Sequence, residues 1–366
     1  MRETLLITGG TGALGAALLE QLCAVPEVER VFVLTRRIGL VAQHAKCVFV
    51  RGDITEPGLG LAPAAAREMA AQVTAIIHGA ADTRFSAPLD EASLVNVSGT
   101  RNVLAFAARC PRLSRFVHLS TVYVAGRRTG RIFESELEHA AGFVNFYEQS
   151  KYEAERIVRA RMAVLPAAVL RLSTILGQSR TGRVARLAAI HHALRFFYRS
   201  LAPMLPGRED SPVDLIALDF AVEAVAHLSL GGFEPGRTWH IAAADEALPL
   251  GELLETTYDA FVRFRPAWRR RAIEMPALAD LETFELFVRS VDEAGDQILR
   301  QSVSHIRHFA PELAFSKIFD DAACAAALAA AGIRKPSLRE FYPRVVRALV
   351  ESDWTAECVE EEVCAQ

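Results

Sequence analysis

The chain is poor in lysine and cysteine, and both scarcities limit the chemistry it can carry. Of its 366 residues only four are lysine, although lysine and arginine together number 41. The six cysteines are scattered at positions 23, 47, 110, 324, 358 and 364. They form no C-x-x-C pair and lack the His/Cys spacing of a zinc site, so we expect no metal and mostly reduced thiols.

Long apolar runs and a charge excess are also missing. No uncharged apolar stretch reaches the roughly 18 residues that a membrane helix needs. The formal net charge of −3 gives no bulk attraction for nucleic acid. An apolar strand pattern begins within four residues of the start, so we expect no signal peptide. These features predict a cytoplasmic protein with no membrane span and no nucleic-acid partner.

A glycine-rich loop follows the first apolar run. Leu5–Ile7 is typical of a buried parallel strand, and Gly9, Gly12 and Gly15 follow at a spacing of three before a helical stretch. Such glycines allow a tight turn, close approach of a pyrophosphate and close packing of helix on strand. The helix N-terminus offers free N–H groups to the anion. We therefore predict a dinucleotide site built from Gly9, Thr11, Gly12, Ala13, Leu14 and Gly15.

The end of the second apolar run indicates which dinucleotide is bound. An NAD-preferring site usually has a carboxylate there, whereas this run ends in Thr35, Arg36 and Arg37. A guanidinium suits a 2′-phosphate, so we predict NADPH, held first by Arg36 and second by Arg37. The alternative is a pair of solvated arginines. After the third strand, Asp53 and Ile54 are placed to meet the adenine, although Asp53 could equally form an Asx turn or a helix cap.

A tyrosine and a lysine lie one helical turn apart at Tyr147 and Lys151. With six tyrosines and four lysines in the chain, chance is a poor explanation. Upstream, Arg115 to Thr121 is typical of a strand that ends in two hydroxyls. We predict that Tyr147 donates a proton to a carbonyl oxygen, and that Lys151 lowers the tyrosine pKa and bonds the nicotinamide ribose. Thr121 orients the same oxygen, with Ser120 as the second candidate.

These motifs resemble the extended short-chain dehydrogenase/reductase superfamily. The resemblance is carried by residues 8–15, 78–85, 96–100, 119–126, 146–155 and 169–177, and it covers residues 4–245 strongly. The residues of these segments are similar to those of the fatty acyl-CoA reductase and thioester reductase branch. One departure is Leu172, where many relatives have proline after the arginine.

The resemblance implies that NADPH reduces an acyl thioester to an aldehyde, sometimes on to an alcohol. It also implies roles for residues outside the two main motifs. Ala80, Ala81 and Asn96 would contact the cofactor, and the backbone of Ile175 would meet its carboxamide. Ser120, Thr83 and Phe85 would contact the substrate.

The order of elements predicts an α/β fold with a doubly wound parallel sheet of the Rossmann type. We expect an NADP-binding core over residues 1–177 and a mainly helical substrate lobe over 178–366, from which 213–245 returns to the core. The substrate would be a small acyl compound or one bound to a carrier protein, and the protein a monomer or homodimer. Five arginines within residues 263–271 could bind coenzyme A phosphates or an acidic carrier, or could be a solvated helix face.

Other activities are compatible with the same motifs. A nucleotide-sugar epimerase or dehydratase uses this fold, although Val122 and Tyr123 after Thr121 are unlike the Asp-Glu of many such dehydratases. A general NADPH carbonyl reductase also fits. A redox sensor is disfavoured because such sensors often lack the Tyr/Lys pair.

Overall fold

The computed structural model describes residues 2–38, 44–265, 275–295 and 297–355. Its strands are β1 (Glu3–Thr8), β2 (Val28–Thr35), β3 (Cys47–Arg51), β4 (Ala75–His78), β5 (Arg115–Thr121), β6 (Gly130–Ile132), β7 (Ala167–Leu172), β8 (Thr174–Ile175), β9 (Met204–Pro206), β10 (Pro212–Val213), β11 (Leu215–Ile216), β12 (Thr238–Ile241), β13 (Leu248–Pro249), β14 (Ala277–Ala279) and β15 (Lys317–Phe319). Its α-helices are α1 (Ala13–Ala24), α2 (Pro63–Gln72), α3 (Leu89–Ser93), α4 (Gly99–Ala107), α5 (Phe146–Arg159), α6 (Ala189–Tyr198), α7 (Leu218–Ser229), α8 (Leu250–Phe264), α9 (Leu281–Ala294), α10 (Gln297–Ile306), α11 (Ala322–Ala330) and α12 (Leu338–Glu351).

Seven parallel strands form the main sheet in the order β3-β2-β1-β4-β5-β7-β12. The chain builds outward from β1 in one direction and from β4 in the other, so the strand order reverses between them. In such sheets a crevice opens at the carboxyl ends of the strands where the order reverses, and ligands bind there. The predicted doubly wound parallel sheet is therefore confirmed.

Helices cover both faces of this sheet, as its apolar strands require. Leu5 and Ile7 of β1 point into one core together with α1, α7, α8 and α12, while Leu6 points into a second core with α2, α4 and α5. Alternation of side chains along a strand produces this division. All three side chains are essentially inaccessible to solvent.

The C-terminal half is tied to the core by several short strands. β15 pairs in parallel with β6, and β14 pairs with β9. β12 lies at the edge of the main sheet, and α7 packs against α1, so residues within 213–245 do contribute to the core layers. Helices α8 to α12 supply most of the remaining described structure. Among the described residues, none of the helices combines the length and apolarity needed to cross a bilayer.

Part of the predicted arginine cluster lies outside the described residues, namely Arg269, Arg270 and Arg271. Two of its members are described and make contacts within the fold. Arg263 lies over the ring of Phe264, and Arg265 donates to the backbone carbonyl of Val350 over 3.1 Å.

Candidate active site

The glycine loop between β1 and α1 has the geometry that a bound pyrophosphate needs. Gly9 adopts a φ of +80°, and a Cβ there would lie 2.6 Å from the backbone nitrogen of Ala80. A Cβ at Gly15 would lie 2.1 Å from the Gly9 oxygen, so helix and loop are in direct backbone contact. A Cβ at Gly12 would instead meet only the Gly9 oxygen, at an ordinary van der Waals distance of 3.5 Å. Gly12 caps α1 without a side-chain hydrogen bond, which leaves the helix N–H groups of the first turn to face an anion.

A buried histidine holds this loop against the neighbouring strand. His78 Nδ1 lies 2.7 Å from Thr8 Oγ1, and His78 Nε2 lies 3.0 Å from Thr100 Oγ1. Because the Thr100 hydroxyl donates to the Asn96 carbonyl, Nε2 must donate and Nδ1 must accept from Thr8. Burial lowers the pKa of His78 to about 3, so it stays neutral, as this pattern requires. Thr8 Oγ1 in turn accepts from the Ala80 N–H.

The glycine loop opens into a cavity of about 1630 Å³ that runs to the ends of β5, β7 and β8. This exceeds the roughly 300–1,000 Å³ of ordinary small-molecule pockets, so a dinucleotide and a second ligand can share it. The cavity brings together nearly all the residues predicted from the sequence. Those that line it are Gly9, Thr11, Gly12, Ala13, Leu14, Gly15, Arg36, Arg37, Asp53, Ile54, Ala80, Ala81, Thr83, Phe85, Ser120, Thr121, Tyr147, Lys151 and Ile175.

Asn96 is the exception, because its side chain lies behind the cavity wall. It sits in a π-helical segment between α3 and α4 and is 2% exposed. Its Oδ1 accepts from the Asp82 N–H over 2.8 Å, while its Nδ2 donates to the Asp82 carbonyl and to Ser150 Oγ. Both amide hydrogens and one lone pair of Oδ1 are therefore directed at the protein. The expected direct contact with the cofactor is therefore not what this geometry shows, and Asn96 positions the loop after β4 instead.

Asp53, Arg36 and Arg37, which the sequence predicts to meet the adenosine end of the cofactor, all line the cavity. Asp53 Oδ1 accepts from both the N–H and the hydroxyl of Thr55, so the carboxylate forms the Asx turn considered above while it also lines the cavity. Arg36 and Arg37 are exposed at the end of β2. The backbone of Arg37 is fixed by Thr35, whose hydroxyl donates to the Arg37 carbonyl over 2.8 Å.

Tyr147 lies in the first turn of α5, which begins at an Asn145 cap whose Oδ1 accepts from the Glu148 N–H. Tyr147 is only 8% exposed and its ring lies 5.2 Å from that of Phe85. Burial raises the pKa of Tyr147 to about 12, and the hydroxyl of Thr121 at the end of β5 opposes that rise. Tyr147 therefore retains its proton at neutral pH and can act as a proton donor.

Lys151 lies one turn further along α5, and its ammonium donates to the Leu119 carbonyl over 2.8 Å. Burial lowers the pKa of Lys151 to about 8. We expected Lys151 to lower the pKa of Tyr147, but the tyrosine pKa is raised, and the opposing effect comes from Thr121. The reason is that removing a phenolate from water outweighs the stabilisation its neighbours provide.

Ser120 is engaged in a buried ionic network beneath the site. Its hydroxyl donates to Glu155 over 2.7 Å, and Arg171 binds the same carboxylate with a shortest distance of 2.6 Å. Arg171 also donates to His240, whose second ring nitrogen bonds the Asp320 carbonyl. Since its hydroxyl is directed at Glu155, Ser120 is less well placed than Thr121 to orient a substrate oxygen.

Three functional groups on the cavity wall were not anticipated from the sequence. Tyr123 shares a 2.6 Å hydrogen bond with Thr174, and Glu148 and Glu312 bring two carboxyls to the same wall. Glu148 directly follows Tyr147, which is the one local signal that could have drawn attention to it. Glu312 is distant in sequence and carries no motif.

Comparison with known proteins gives consistent matches. The family model described as Male sterility protein matches residues 36–225, just over half of the chain. The nonribosomal peptide synthetase cpsA of Aspergillus campestris is 27% identical over 330 residues, which cover 80% of this chain and 30% of that protein. Fatty acyl-CoA reductase 2, chloroplastic, of Arabidopsis thaliana is 31% identical over 159 residues, covering 35% of this chain and 26% of the relative. The chain thus matches less than a third of the length of either relative.

Among solved structures, the terminal R domain from the myxalamid PKS-NRPS biosynthetic pathway superposes with a TM-score of 0.79 at 26% identity. The match covers 98% of this chain and 93% of that one. The fold agrees with these matches, and the fold and glycine loop agree with a nicotinamide dinucleotide as cofactor. The chain therefore belongs to the Male sterility protein family, in the thioester reductase branch of the extended short-chain dehydrogenase/reductase superfamily.

Proposed function

We propose that this protein uses NADPH to reduce the carbonyl of an acyl thioester, carried by coenzyme A or an acyl-carrier protein, to an aldehyde or alcohol. The observation that carries the proposal is one cavity that joins the glycine loop to a protonated tyrosine. The names of the relatives support the substrate class, since one is a fatty acyl-CoA reductase.

The preference for NADPH is supported by the two arginines at the end of β2. Arg36 and Arg37 line the cavity where the adenosine ribose would lie, and no carboxylate follows Thr35. A guanidinium binds a phosphate by paired, charge-assisted hydrogen bonds. Arg36 is already close enough to Asp82 to help lower the pKa of that carboxyl.

The residues of the site would then act as follows, with the bound cofactor supplying hydride. Tyr147 donates its hydroxyl proton to the thioester oxygen as negative charge develops there. Thr121 places a second hydroxyl beside the same oxygen and stabilises that charge. Lys151, anchored to the Leu119 carbonyl, keeps two further N–H groups for the nicotinamide ribose.

The far side of the cavity suits an acyl chain. Beyond Ile175 the wall is formed mainly by apolar side chains from α6 and the segment just before it, and from β9, β11 and α8: Leu187, Ile190, Leu194, Phe197, Leu205, Leu215, Leu250, Leu253 and Leu254. Each buried methylene of a substrate would gain about 0.8 kcal/mol against such a wall. Phe85, which packs on Tyr147, and Thr83 would contact the reacting end of the substrate.

The test is to mix purified protein with NADPH and either acyl-CoA thioesters or aldehydes, and to follow the absorbance of the reduced nicotinamide. The Tyr147→Phe variant removes the proposed proton donor, and Tyr152→Phe is a matched control on the same helix, because the Tyr152 hydroxyl bonds Glu138 instead. We expect thioester-dependent oxidation of NADPH, with release of free thiol, in the wild type and in Tyr152→Phe only.

Other outcomes would redirect the assignment. Turnover of aldehydes or ketones alone would indicate a general carbonyl reductase. Tight NADPH binding with no turnover of free thioesters would call for the same assay with acyl-carrier proteins. Failure there, with cofactor retained through purification, would favour an epimerase.

A further inference from the structure

Two carboxyls on the cavity wall form a cluster with one lysine: Glu148, which follows Tyr147 in sequence, and Glu312, which is 15% exposed. Glu148 is 1% exposed; its Oε2 accepts from the Val144 N–H over 2.9 Å and its Oε1 from the Asn145 side-chain amide over 3.2 Å. Glu312 comes from the C-terminal half and pairs with the ammonium of Lys317, which is 5% exposed. We refer to Glu148, Glu312 and Lys317 as the carboxyl cluster.

One buried oxygen of the carboxyl cluster has no hydrogen-bond donor beside it among the described residues. Glu312 Oε1 accepts from Lys317, but Glu312 Oε2 is buried and meets no donor among the described residues. The carboxyl of Glu148 lies close enough to that of Glu312 for the two to influence each other's ionisation. Two ionised carboxylates are both acceptors and repel each other, whereas a single shared proton turns the contact into a hydrogen bond.

The charges around the cluster agree with a shared proton. With Lys317 charged, one carboxylate and one carboxylic acid leave the buried group neutral overall. Burial and mutual repulsion raise the pKa of Glu148 well above its usual range, and burial raises that of Glu312, against opposing contributions from Lys317 and Arg127. Burial raises the pKa of Tyr123, and the charges of Glu312 and Glu148 add to that rise. Such a pair titrates as a unit.

Thioester reduction needs a proton that Tyr147 cannot supply. Hydride addition to the thioester carbonyl, with protonation of its oxygen by Tyr147, gives a hemithioacetal. Its carbon bears a hydroxyl and is still bonded to sulfur. Release of the aldehyde returns the hydroxyl proton to the Tyr147 phenolate and breaks the C–S bond, whose electron pair leaves with sulfur. An alkyl thiolate is then formed in a low-dielectric cavity, and it requires a second proton.

We propose that the carboxyl cluster is the general acid that protonates the departing sulfur. Glu312, the less buried of the two carboxyls, delivers the shared proton as the C–S bond breaks, and Glu148 holds that proton between turnovers. One proton moves from the cluster to sulfur, and water restores it after product release. This rests on the proposed thioester reductase activity and adds a second proton donor to it.

The experiment separates the two protons by rapid mixing in a single turnover. Absorbance of reduced nicotinamide reports hydride transfer, and a thiol-reactive chromophore reports release of the thiol. For a thioester of an alkyl thiol, Glu312→Gln and Glu148→Gln are expected to slow thiol release about 10²-fold or more while hydride transfer changes little. Glutamine retains one acceptor oxygen, which can accept from Lys317 at position 312 or from the Val144 N–H at position 148, while the Asn145 amide loses its acceptor in Glu148→Gln.

A change of leaving group tells acid catalysis from a structural role. Aryl thiols have a lower pKa and leave without assistance. In either variant, thiol release from their thioesters should therefore slow by less than about 10-fold. The matched control is Glu223→Gln, an exposed glutamate on α7, which should leave both phases unchanged for both substrates. The proposal would be overturned if the variants slowed thiol release equally for alkyl and aryl thioesters. It would also be overturned if thiol release in the variants showed no lag behind hydride transfer.

A readout without turnover tests the proton itself. The infrared C=O band of a protonated carboxyl, shifted by D₂O, should be present near neutral pH in the wild type and absent from both glutamine variants. If a variant does not fold, the band in the wild type and the leaving-group comparison in the other variant still decide the question. If the wild type reduces no thioester, the proposed function fails. If it does so and both variants match it, only the carboxyl cluster proposal fails.

Discussion

Replacing Lys151 with methionine is expected to stabilise the fold at neutral pH although it removes a residue of the active site. Burial lowers the pKa of this lysine from its ordinary value of 10.5 to about 8. One pKa unit corresponds to about 1.4 kcal/mol, so keeping the ammonium buried costs the folded state about 3 kcal/mol. The variant loses the hydrogen bond from the ammonium to the Leu119 carbonyl, which contributes about 2 kcal/mol because the donor is charged. The net gain in the free energy of unfolding is about 1 kcal/mol.

The gain must depend on pH with a definite sign. Below the folded pKa of about 8, Lys151 is charged in both states and the full cost applies. Between that value and the ordinary 10.5, the unfolded chain binds more protons than the folded one, so the stability of the wild type rises with pH. Above both values the lysine is neutral in both states, and the advantage of methionine disappears.

The assay is urea unfolding of the protein without cofactor, followed by tryptophan fluorescence, near pH 7 and at about pH 11. Lys46→Met is the matched control, because the Lys46 ammonium also donates to a backbone carbonyl, that of Val25 over 2.9 Å, but is partly exposed. It should show no gain at either pH. The reasoning would be refuted if Lys151→Met were less stable than the wild type near pH 7. It would also be refuted if the variant were more stable than the wild type by the same amount at both pH values.

Three further changes test other parts of the structure. Gly15→Ala places a Cβ 2.1 Å from the Gly9 oxygen and should destabilise the protein by about 1–3 kcal/mol while weakening cofactor binding, measured by thermal unfolding and by fluorescence titration. Arg36→Ala should weaken NADPH binding about 10- to 100-fold and leave NADH binding nearly unchanged, and equal losses for both would exclude a 2′-phosphate contact. Arg171→Met leaves Glu155 as a buried charge without its ion-pair partner and should lower the free energy of unfolding by about 3–5 kcal/mol. An unchanged free energy of unfolding would show that the ion pair does not stabilise the fold.

Local patterns in the sequence predicted the parts of the site that local geometry determines. The glycine spacing after Leu5–Ile7 and the four-residue step from Tyr147 to Lys151 each lie within one turn and one helix. Backbone sterics and helical periodicity therefore constrain them strongly. The same holds for the parallel sheet, whose strands are nearly continuous apolar runs.

The remaining features depend on where a side chain points, which a linear pattern does not encode. Asn96 could have faced either the cofactor or the loop after β4, and only the tertiary fold directs its amide to Asp82. Glu312 meets Glu148 because the C-terminal half folds back across the cavity, an approach also seen where Asn145 donates to the His308 carbonyl, 163 residues away. No spacing rule connects residues so distant in sequence.

The pairing of β15 with β6 has a consequence for how the protein acquires its structure. Arg131 of β6 bonds both Asp245 and Asp320, the latter 189 residues away, and Lys335 donates to the Ala243 carbonyl. Contacts of such large sequence separation form late, because a long loop must close before they stabilise anything. During synthesis the glycine loop and α5 can assemble early. The contacts of Glu148 with Glu312 and Lys317 can form only after those two residues have left the ribosome. Cofactor affinity is therefore expected to appear on the nascent chain before reductase competence does.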